Sequence, residues 1–373
     1  MKSMVQESNK KYSYYFLASF IPGLIELFWQ LINRALPVSD GGDYYRIAYK
    51  IYLAFGKGFD YGLYYFFHTG GKPVLFSAYF SSFFSMFHVN PMLPQRIFLV
   101  VAQVSFGFAF MWFFSAYVEK RISMILSLIL TSAPYIFSTG TELTPELLWG
   151  IWFVLALGAI ARSEDFQNSL YSTLAGLFLS LSILCRPVES VISIIPALLV
   201  FIVLVARKHD CSRDIMSKGV VYSFLSVGLF TWLSFMETKN WLNNIAIALL
   251  LFYSAVLARK SAVWKFWVTF TLPLSIWLKY YGKPLYYWAL DNSVGRGAQT
   301  NDQVLKNQNI FVIAKYLTTY YGYLFVFLIV ICTVLVIARY IHLKVKGQTS
   351  RLGIVVFVFA ICFVYLAVSY THL

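Results

Sequence analysis

Long apolar runs alternate with short polar segments over almost the whole length of the chain. A helix needs ~17–25 mainly apolar residues to cross the hydrocarbon core of a bilayer. The pattern therefore predicts an all-α protein, a polytopic transmembrane helical bundle of about eleven spans. The predicted spans are residues 14–32, 97–117, 122–138, 145–161, 170–185, 187–206, 219–236, 241–258, 263–278, 316–338 and 353–371.

A second kind of pattern follows the first predicted span. Apolar and aromatic residues recur there at i, i+3 and i+4, at Tyr44, Ile47, Ala48, Ile51, Tyr52 and Phe55. This spacing predicts an amphipathic helix that ends near residue 56 and lies on the membrane surface. Asp40 and Asp43 precede it, and the two glycines between them favour a tight turn that approaches a ligand closely. An aspartate before a helix also serves as a simple N-cap, so both interpretations stay open.

The short, serine-rich run at 74–88 decides the topology. If it crossed the membrane, the most basic loops of the chain would lie outside, against the positive-inside rule. These loops carry Lys120-Arg121, Arg207-Lys208, Arg259-Lys260 and Arg339 with Lys344, Lys346 and Arg351. We therefore expect a cytoplasmic N-terminus and one long external loop at 33–96 that contains two juxtamembrane helices.

The composition agrees with a membrane protein, because 59% of the residues are hydrophobic and only 12% are charged. A soluble domain would carry about twice that charge. The net charge of +14 falls in short clusters between apolar runs, which fits membrane topology better than nucleic-acid binding. The four cysteines have neither CxxC nor Cys/His spacing, so neither a disulfide nor a zinc site is predicted.

We expect one transmembrane domain over residues 1–373, with external loops at 33–96 and 279–315. The second loop is long, polar and glycine-bearing, and loops of this length are often functional. Lysines precede the first apolar run without a small-residue cleavage site, which favours a retained first span. The chain ends at His372-Leu373, directly after an apolar run, so a natural terminus and a C-terminal truncation both stay open.

Several ionisable side chains are predicted to lie on the external side, near the membrane surface. They are Asp40, Asp43, His68, Lys72, Glu142, Arg186, Glu189 and Arg296. Ionisable groups at or within membrane spans are costly and are functional candidates by default. Arg186 before Pro187 also fits a side chain that only reaches out to the interface. Glu146 fits a simple helix start, with Thr144 as N-cap and Pro145 as the first helical residue.

This combination suits a reaction between a lipid-linked phosphate and a polar acceptor. Arginine and lysine would bind the phosphate, and a carboxylate would take the proton from an attacking hydroxyl. The sequence has no GxxxxGK[ST] loop and no GxGxxG after a strand, so it indicates no cytosolic nucleotide site. A donor that already lies in the membrane makes such a site unnecessary.

Four short motifs, in this order, resemble the GT-C superfamily of integral-membrane glycosyltransferases, which use polyprenyl-phosphate sugars. They are Asp40-Gly-Gly-Asp-Tyr44-Tyr-Arg-Ile-Ala48 after the first span, Gly71-Lys72-Pro73, Thr141-Glu142-Leu-Thr-Pro145 before a span, and Arg186-Pro187 at a later one. The nearest branches are the bacterial protein-mannosyltransferase-like and aminoarabinose-transferase-like ones. The resemblance covers residues 10–210, and the order and shared side of the motifs carry it.

The resemblance implies an inverting glycosyltransferase (EC 2.4 class) that moves a sugar to a hydroxyl-bearing lipid, glycan or protein acceptor. Asp40 matches the catalytic base. Asp43 is a rival base, because Gly41 stands where the mannosyltransferases have the second acid of an Asp-Glu pair. Lys72 matches a lysine that contacts the lipid phosphate, and Arg186 matches a phosphate-side or structural arginine. Further candidates for substrate binding are Tyr44, His68, Glu142, Glu189 and Arg296.

The resemblance also implies a bacterial inner-membrane protein whose active site faces outside, with no nucleic-acid partner; the use of a divalent metal stays open. Two other function classes compete with this one. A transporter or flippase of lipid-linked sugars predicts inverted repeats and charged residues within spans, whereas Glu26 is the main acid in the predicted spans. A surface-polysaccharide polymerase or ligase predicts several arginines in a late external loop, and residues 279–315 contain one.

Overall fold

The computed structural model describes residues 2–32, 40–67, 74–86, 92–132, 143, 145–163, 166–186, 210–235 and 240–294. In these residues the chain forms eleven helices and no strand. The helices are α1 (Lys2–Ile32), α2 (Asp40–Lys57), α3 (Phe59–Phe67), α4 (Val74–Met86), α5 (Met92–Phe114), α6 (Lys120–Thr131), α7 (Pro145–Arg162), α8 (Ser169–Cys185), α9 (Asp210–Phe235), α10 (Asn240–Ala258) and α11 (Ala262–Val294). The predicted spans at 187–206, 316–338 and 353–371 lie outside the described residues.

Four stretches among the described residues are long and apolar enough to cross a membrane, as expected of an integral membrane protein. They are Tyr12–Ile32, Met92–Phe114, Pro145–Arg162 and Lys218–Phe235. Three shorter apolar stretches, Leu75–Phe84, Ser169–Cys185 and Asn244–Ala258, do not reach that length. The predicted all-helical fold is thus confirmed, and the full set of eleven spans stays a prediction.

The chain divides into two compact units, one made of residues 1–131 and 139–286 and the other of residues 132–138 and 287–373. The first unit contains nearly all of the described residues. Contacts between side chains show which helices of this unit run parallel and which run antiparallel. Tyr15 of α1 contacts Ser115, the residue after α5, at 2.8 Å, oxygen to oxygen, and Gly23 of α1 faces Val104 of α5. The two helices are therefore antiparallel.

The same reasoning orients the next helices. Gly150 of α7 faces Phe106 of α5, and Gly158 faces Trp112, so α5 and α7 run parallel. Trp152 of α7 packs against Phe178 of α8 with ring centroids 5.6 Å apart. Together with an ion pair between the first turn of α7 and the residue that follows α8, this contact makes α7 and α8 antiparallel.

Two further contacts orient α11. Lys265 donates to Ser169 Oγ of α8 at 2.5 Å, and Thr269 donates to the Thr173 carbonyl at 2.9 Å, so α8 and α11 run parallel. The end of the bundle where α5 and α7 begin and α8 ends is called the Arg186 end below. The opposite end, where α5 and α7 finish, is called the Arg162 end.

A proline and a glycine set the contact between α1 and α5. Pro22 lies inside α1, and because it has no N–H it cannot donate to the Ala18 carbonyl one turn earlier. That carbonyl faces Gly107 of α5, where a Cβ would collide with it. Ser127 of α6 donates to the Gly107 carbonyl at 2.8 Å. Glycine at 107 therefore lets three helices meet closely.

Three helices form a layer over the Arg186 end. α2 packs on α4, with Tyr44 5.2 Å from Phe76 and Tyr45 5.2 Å from Phe84, measured between ring centroids. Phe76 and Phe80 in turn lie 5.6 and 5.1 Å from Phe98, which is in the second turn of α5. With 13 residues, α4 is about 20 Å long, shorter than the ~30 Å hydrocarbon core. This agrees with the predicted juxtamembrane helix at 74–88.

The last described helix is longer than the span predicted at 263–278. Residues 279–315 were expected to be a loop, yet α11 continues without a break to Val294 and contains Pro273 and Pro284. Tertiary contacts keep residues 279–294 helical although this segment contains Pro284. The Tyr281 hydroxyl donates to the Phe66 carbonyl at the end of α3, and Gly282 packs tightly against Ser234 of α9.

Candidate functional site

The acidic motif opens α2. The sequence suggested a tight turn over Asp40-Gly41-Gly42-Asp43, but the helix already begins at Asp40, and neither glycine is among the residues with positive φ. Carboxylates stabilise the first turn of a helix through its dipole. The apolar stripe of α2 is buried against α4, and this packing favours a helix that begins as early as Asp40. Positions 40 and 43 therefore share one helix face. The side chain of Asp40 lies outside the described residues.

Asp43 is held within its own helix. Arg46 donates to Asp43 Oδ1 at 3.1 Å, and the two side chains are 66% and 44% exposed. An exposed i, i+3 pair of this kind contributes about 0–1 kcal/mol. Asp43 thus keeps access to solvent at the head of α2, as a candidate base requires.

The predicted amphipathic stripe of α2 is confirmed at its centre. Tyr44, Ala48 and Ile51 are buried, whereas Phe55 near the end of the helix is exposed. Tyr44 was also a candidate for substrate binding. Its ring instead packs edge-to-face on Phe76, in the contact between α2 and α4. The position of Tyr44 therefore fits packing of the layer better than contact with a substrate.

Two tyrosines of this layer, Tyr45 in α2 and Tyr65 in α3, are weaker acids than free tyrosine. Removal from water raises the pKa of Tyr45, and the neighbouring Tyr49 raises it further. Burial likewise raises the pKa of Tyr65, Tyr61 adds to this increase, and Arg46 opposes it. These hydroxyls stay neutral near pH 7, so the formal charge of the layer comes from its acids, lysines and arginine.

Arg186 is the second candidate that the structure describes, and it has an acidic partner. Its Nη1 forms an ion pair with Glu146 Oε1, in the first turn of α7. The side chains of Arg186 and Glu146 are 25% and 30% exposed, so the pair lies at the edge of the bundle and is shielded only in part. Glu146 Oε2 is buried and has no hydrogen-bond partner among the described residues.

Glu146 is the functional candidate that sequence reasoning missed. The predicted helix start is confirmed, because α7 begins at Pro145. The ion pair could have been anticipated from the predicted spans 145–161 and 170–185. Consecutive antiparallel spans bring the start of one and the end of the next to the same side of a membrane.

Elsewhere in the same bundle, a groove of about 340 Å³ lies between α1, α4, α5 and α7. Its lining is mainly aliphatic and aromatic, with Phe98 from α5 and Leu148, Trp152 and Leu155 from α7. A helix rises 1.5 Å per residue, so the α7 side of the groove reaches from about 3 to about 14 Å below the level of Glu146. With 3.6 residues per turn, Leu148, Trp152 and Leu155 lie on the face of α7 turned away from Glu146, so the groove and the ion pair occupy different faces of this helix.

The remaining predicted site residues lie outside the described residues. They are His68, Lys72, Glu142, Glu189 and Arg296. Within the described ranges, no three His, Cys, Asp or Glu side chains are placed to hold a metal ion. The use of a metal stays open.

Comparison with known proteins gives no relative from which to transfer a function. No family model, no curated protein and no solved structure matches the chain. A function is therefore inferred from the residues of this chain and from their arrangement at the Arg186 end.

Proposed function

We propose that the chain is an inverting membrane glycosyltransferase that moves a sugar from a polyprenyl-phosphate donor to a hydroxyl-bearing acceptor outside the cell. The observation that carries this proposal is the Arg186–Glu146 ion pair, which places a cation and a carboxylate together at the Arg186 end of the bundle. An arginine at this end of a membrane bundle fits the anionic head group of a lipid-linked donor. In the full proposal, the protein crosses a bacterial inner membrane about eleven times.

The sidedness of the charges supports the outward orientation. Lys120 and Arg121 open α6 and Arg259 and Lys260 precede α11, and both sites belong to the Arg162 end. Cytoplasmic loops are enriched in lysine and arginine. The Arg162 end is therefore assigned to the cytoplasm, and the Arg186 end, with the layer formed by α2, α3 and α4, is assigned to the outside.

The proposed reaction needs one base and one phosphate leaving group. The acceptor oxygen attacks the anomeric carbon, and the bond from that carbon to the phosphate oxygen breaks. The phosphate leaves with the electron pair, and the acceptor proton passes to Asp40, or to Asp43 as the rival base. Lys72 and Arg186 stabilise the phosphate, because charged hydrogen bonds are about twice as strong as neutral ones.

The test measures donor binding and turnover on purified protein with a polyprenyl-phosphate sugar. Lys72→Ala and Arg186→Ala are each expected to weaken the apparent donor affinity roughly ten- to hundredfold, since a lost charged hydrogen bond costs about 1.5–3 kcal/mol. Unchanged affinity in both variants would remove these residues from the phosphate site.

One observation favours a second candidate, a transporter or flippase of lipid-linked sugars. Glu26 in α1 is fully buried, accepts a hydrogen bond from Gln30 at 2.6 Å, and has a second oxygen without a partner in the described part of the chain. Buried acids in spans often mark transport pathways. Glu26→Gln separates the two functions: loss of lipid translocation with normal sugar transfer would favour the flippase.

A further inference from the structure

We propose that Glu26 of α1 is a proton-binding site inside the membrane, formed together with Gln30 and Gln103. This site is separate from the Arg186 end and requires no sugar-transfer chemistry. Acids within spans form proton relays in pumps and transporters. The site would therefore suit the second candidate function named above without depending on it.

Glu26 lies in an apolar stretch that is long enough to cross the membrane, yet its side chain is fully shielded. Glu26 shares one buried face of α1 with Ala18, two turns earlier, and Gln30, one turn later. Ala18 meets Gly107 of α5 on this face. The carboxyl group therefore points into the helix bundle and not into the lipid.

The two oxygens of the Glu26 carboxyl group differ in their partners. Gln30 Nε2 donates to Oε1 at 2.6 Å, whereas Oε2 is buried and has no hydrogen-bond partner among the described residues. A neutral amide does not cancel the charge of a carboxylate. An ionised carboxylate without a counter-ion is so costly in an apolar medium that the group takes up a proton instead.

Gln103 of α5 provides an acceptor for that proton. It is 1% exposed, and both polar atoms of its side chain are unpartnered in the described part of the chain. Gln103 lies one turn before Gly107, on the face of α5 that meets α1. Because Gly23 meets Val104 in these antiparallel helices, Glu26 and Gln103 lie within about one turn of each other in depth. Side chains lean toward the start of their own helix, so these two lean toward each other.

The basic residues of the neighbouring helices lie elsewhere. Arg96 is the charged residue of α5; its side chain leans toward the start of α5, away from Glu26, and the ion pairs between described residues do not include Glu26. Lys120 and Arg121 open α6 at the Arg162 end, and the lysines of α1 precede Tyr12. Glu26 is six residues before the opposite end of α1, a distance of about 9 Å. A proton is therefore the partner that best neutralises this acid.

Infrared spectroscopy on the full chain in lipid vesicles at pH 7 tests the site. A protonated carboxyl group has a carbonyl stretch that a carboxylate lacks. The difference between the wild-type and Glu26→Gln spectra is expected to contain this band, with the intensity of one carboxyl group per chain. Glu119→Gln changes an exposed acid and serves as control, so it should remove no such band.

Two glutamines of α5 form a matched pair for the second step. Gln103→Leu should shift the frequency of the Glu26 band without removing it, because the acceptor for the proton is lost. Gln95 is also buried and has an unpartnered Oε1 within the described ranges, but it lies about 12 Å further along α5. Gln95→Leu should leave the band in place. An unshifted band in Gln103→Leu would remove Gln103 from the site.

A melting experiment guards against an effect of misfolding. Glu26→Gln has the size and the neutrality of a protonated glutamate, so we expect it to melt at the wild-type temperature. Identical infrared spectra for wild type and Glu26→Gln would show that Glu26 is ionised and would overturn the proposal. Loss of the wild-type band when choline chloride is replaced by sodium chloride would assign the site to Na⁺ instead. None of these outcomes depends on sugar transfer.

Discussion

α7 carries an arginine contact at each end, and the two contacts differ in kind. At one end Arg186 pairs with the carboxylate of Glu146. At the other end Arg162, the last residue of α7, donates to the Trp112 carbonyl at 2.5 Å, to Ser115 Oγ at 2.7 Å and to the Gly158 carbonyl at 3.0 Å. Its guanidinium also stacks over the Trp112 ring at 4.5 Å.

The partners distinguish a structural arginine from a candidate site. Arg162 binds carbonyls at the C-terminal ends of α5 and α7, where the helix dipoles are negative and a cation is favoured. It thereby ties two parallel helices together and contacts no acid among the described residues. Arg186 is held by a carboxylate whose second oxygen is unpartnered within the described ranges. The first arrangement ties two helices together, and under the proposed function the second binds the donor.

The largest expected effect concerns topology, because the two ends of α7 are assigned to opposite sides of the membrane. In a cysteine-free background, Lys57→Cys in α2 should react with a membrane-impermeant thiol reagent in intact cells. Arg121→Cys at the start of α6 should react only after the cells are permeabilised. Both positions are exposed, so access to the reagent is the only variable. Labelling of both cysteines from the same side of the membrane would contradict the assigned topology.

The next largest effect concerns stability. Arg162→Ala should lower the free energy of unfolding by about 2–4 kcal/mol, since each charged hydrogen bond contributes about 1.5–3 kcal/mol. Arg186→Ala should cost below about 1 kcal/mol, as partly exposed ion pairs contribute little. Thermal unfolding in detergent measures both. Equal losses in the two variants would show that the two arginines have the same role.

A conservative substitution tests whether the charge of Arg162 or the shape of its guanidinium stabilises the fold. Arg162→Lys keeps the charge but loses the planar group that reaches two carbonyls and stacks on Trp112. We expect a loss of about 1–2 kcal/mol in the same unfolding assay. Wild-type stability in this variant would mean that charge alone, and not the geometry of the guanidinium, holds the Arg162 end together.

The smallest expected effect is at Asp43. Its pair with Arg46 is exposed, so Asp43→Asn should change stability by no more than about 0.5 kcal/mol. Sugar transfer should fall only mildly, because Asp40 is the preferred base. A circular dichroism melt and an initial-rate assay on the same preparation check both parts of the prediction.

Much of the fold was predictable because it depends on local sequence. Run length and the 3.6-residue period predicted helices where α2, α4 and α7 are found, while the juxtamembrane position of α4 stays a prediction. The tight turn at Gly41-Gly42 was wrong, since glycine permits a turn without requiring one, and packing on α4 favours the helix. The extension of α11 past residue 278 was missed for the same reason, because Tyr281 and Gly282 find partners on other elements.

The candidate site was only partly predictable. Arg186 could be selected from its place before Pro187, but its partner Glu146 is distant in sequence and follows from the register of two helices. The groove takes its lining from four separate helices, so no local pattern encodes it. Local periodicity identifies the helix faces that will be buried. The partners of a side chain such as Arg186 depend on which helices pack together, and local periodicity does not give that.

The central claim is that the Arg186 end carries sugar transfer with a carboxylate of α2 as base. The most direct measurement compares wild type and Asp40→Asn, purified and folded, in the release of polyprenyl phosphate from a polyprenyl-phosphate sugar in the presence of a hydroxyl acceptor. A positioned base contributes ~10²–10⁴-fold in rate, so we expect a loss of that size with little change in donor affinity. An Asp40→Asn enzyme that transfers sugar at the wild-type rate would contradict the assignment of Asp40. If Asp43→Asn also kept that rate, it would contradict the claim that α2 supplies the base.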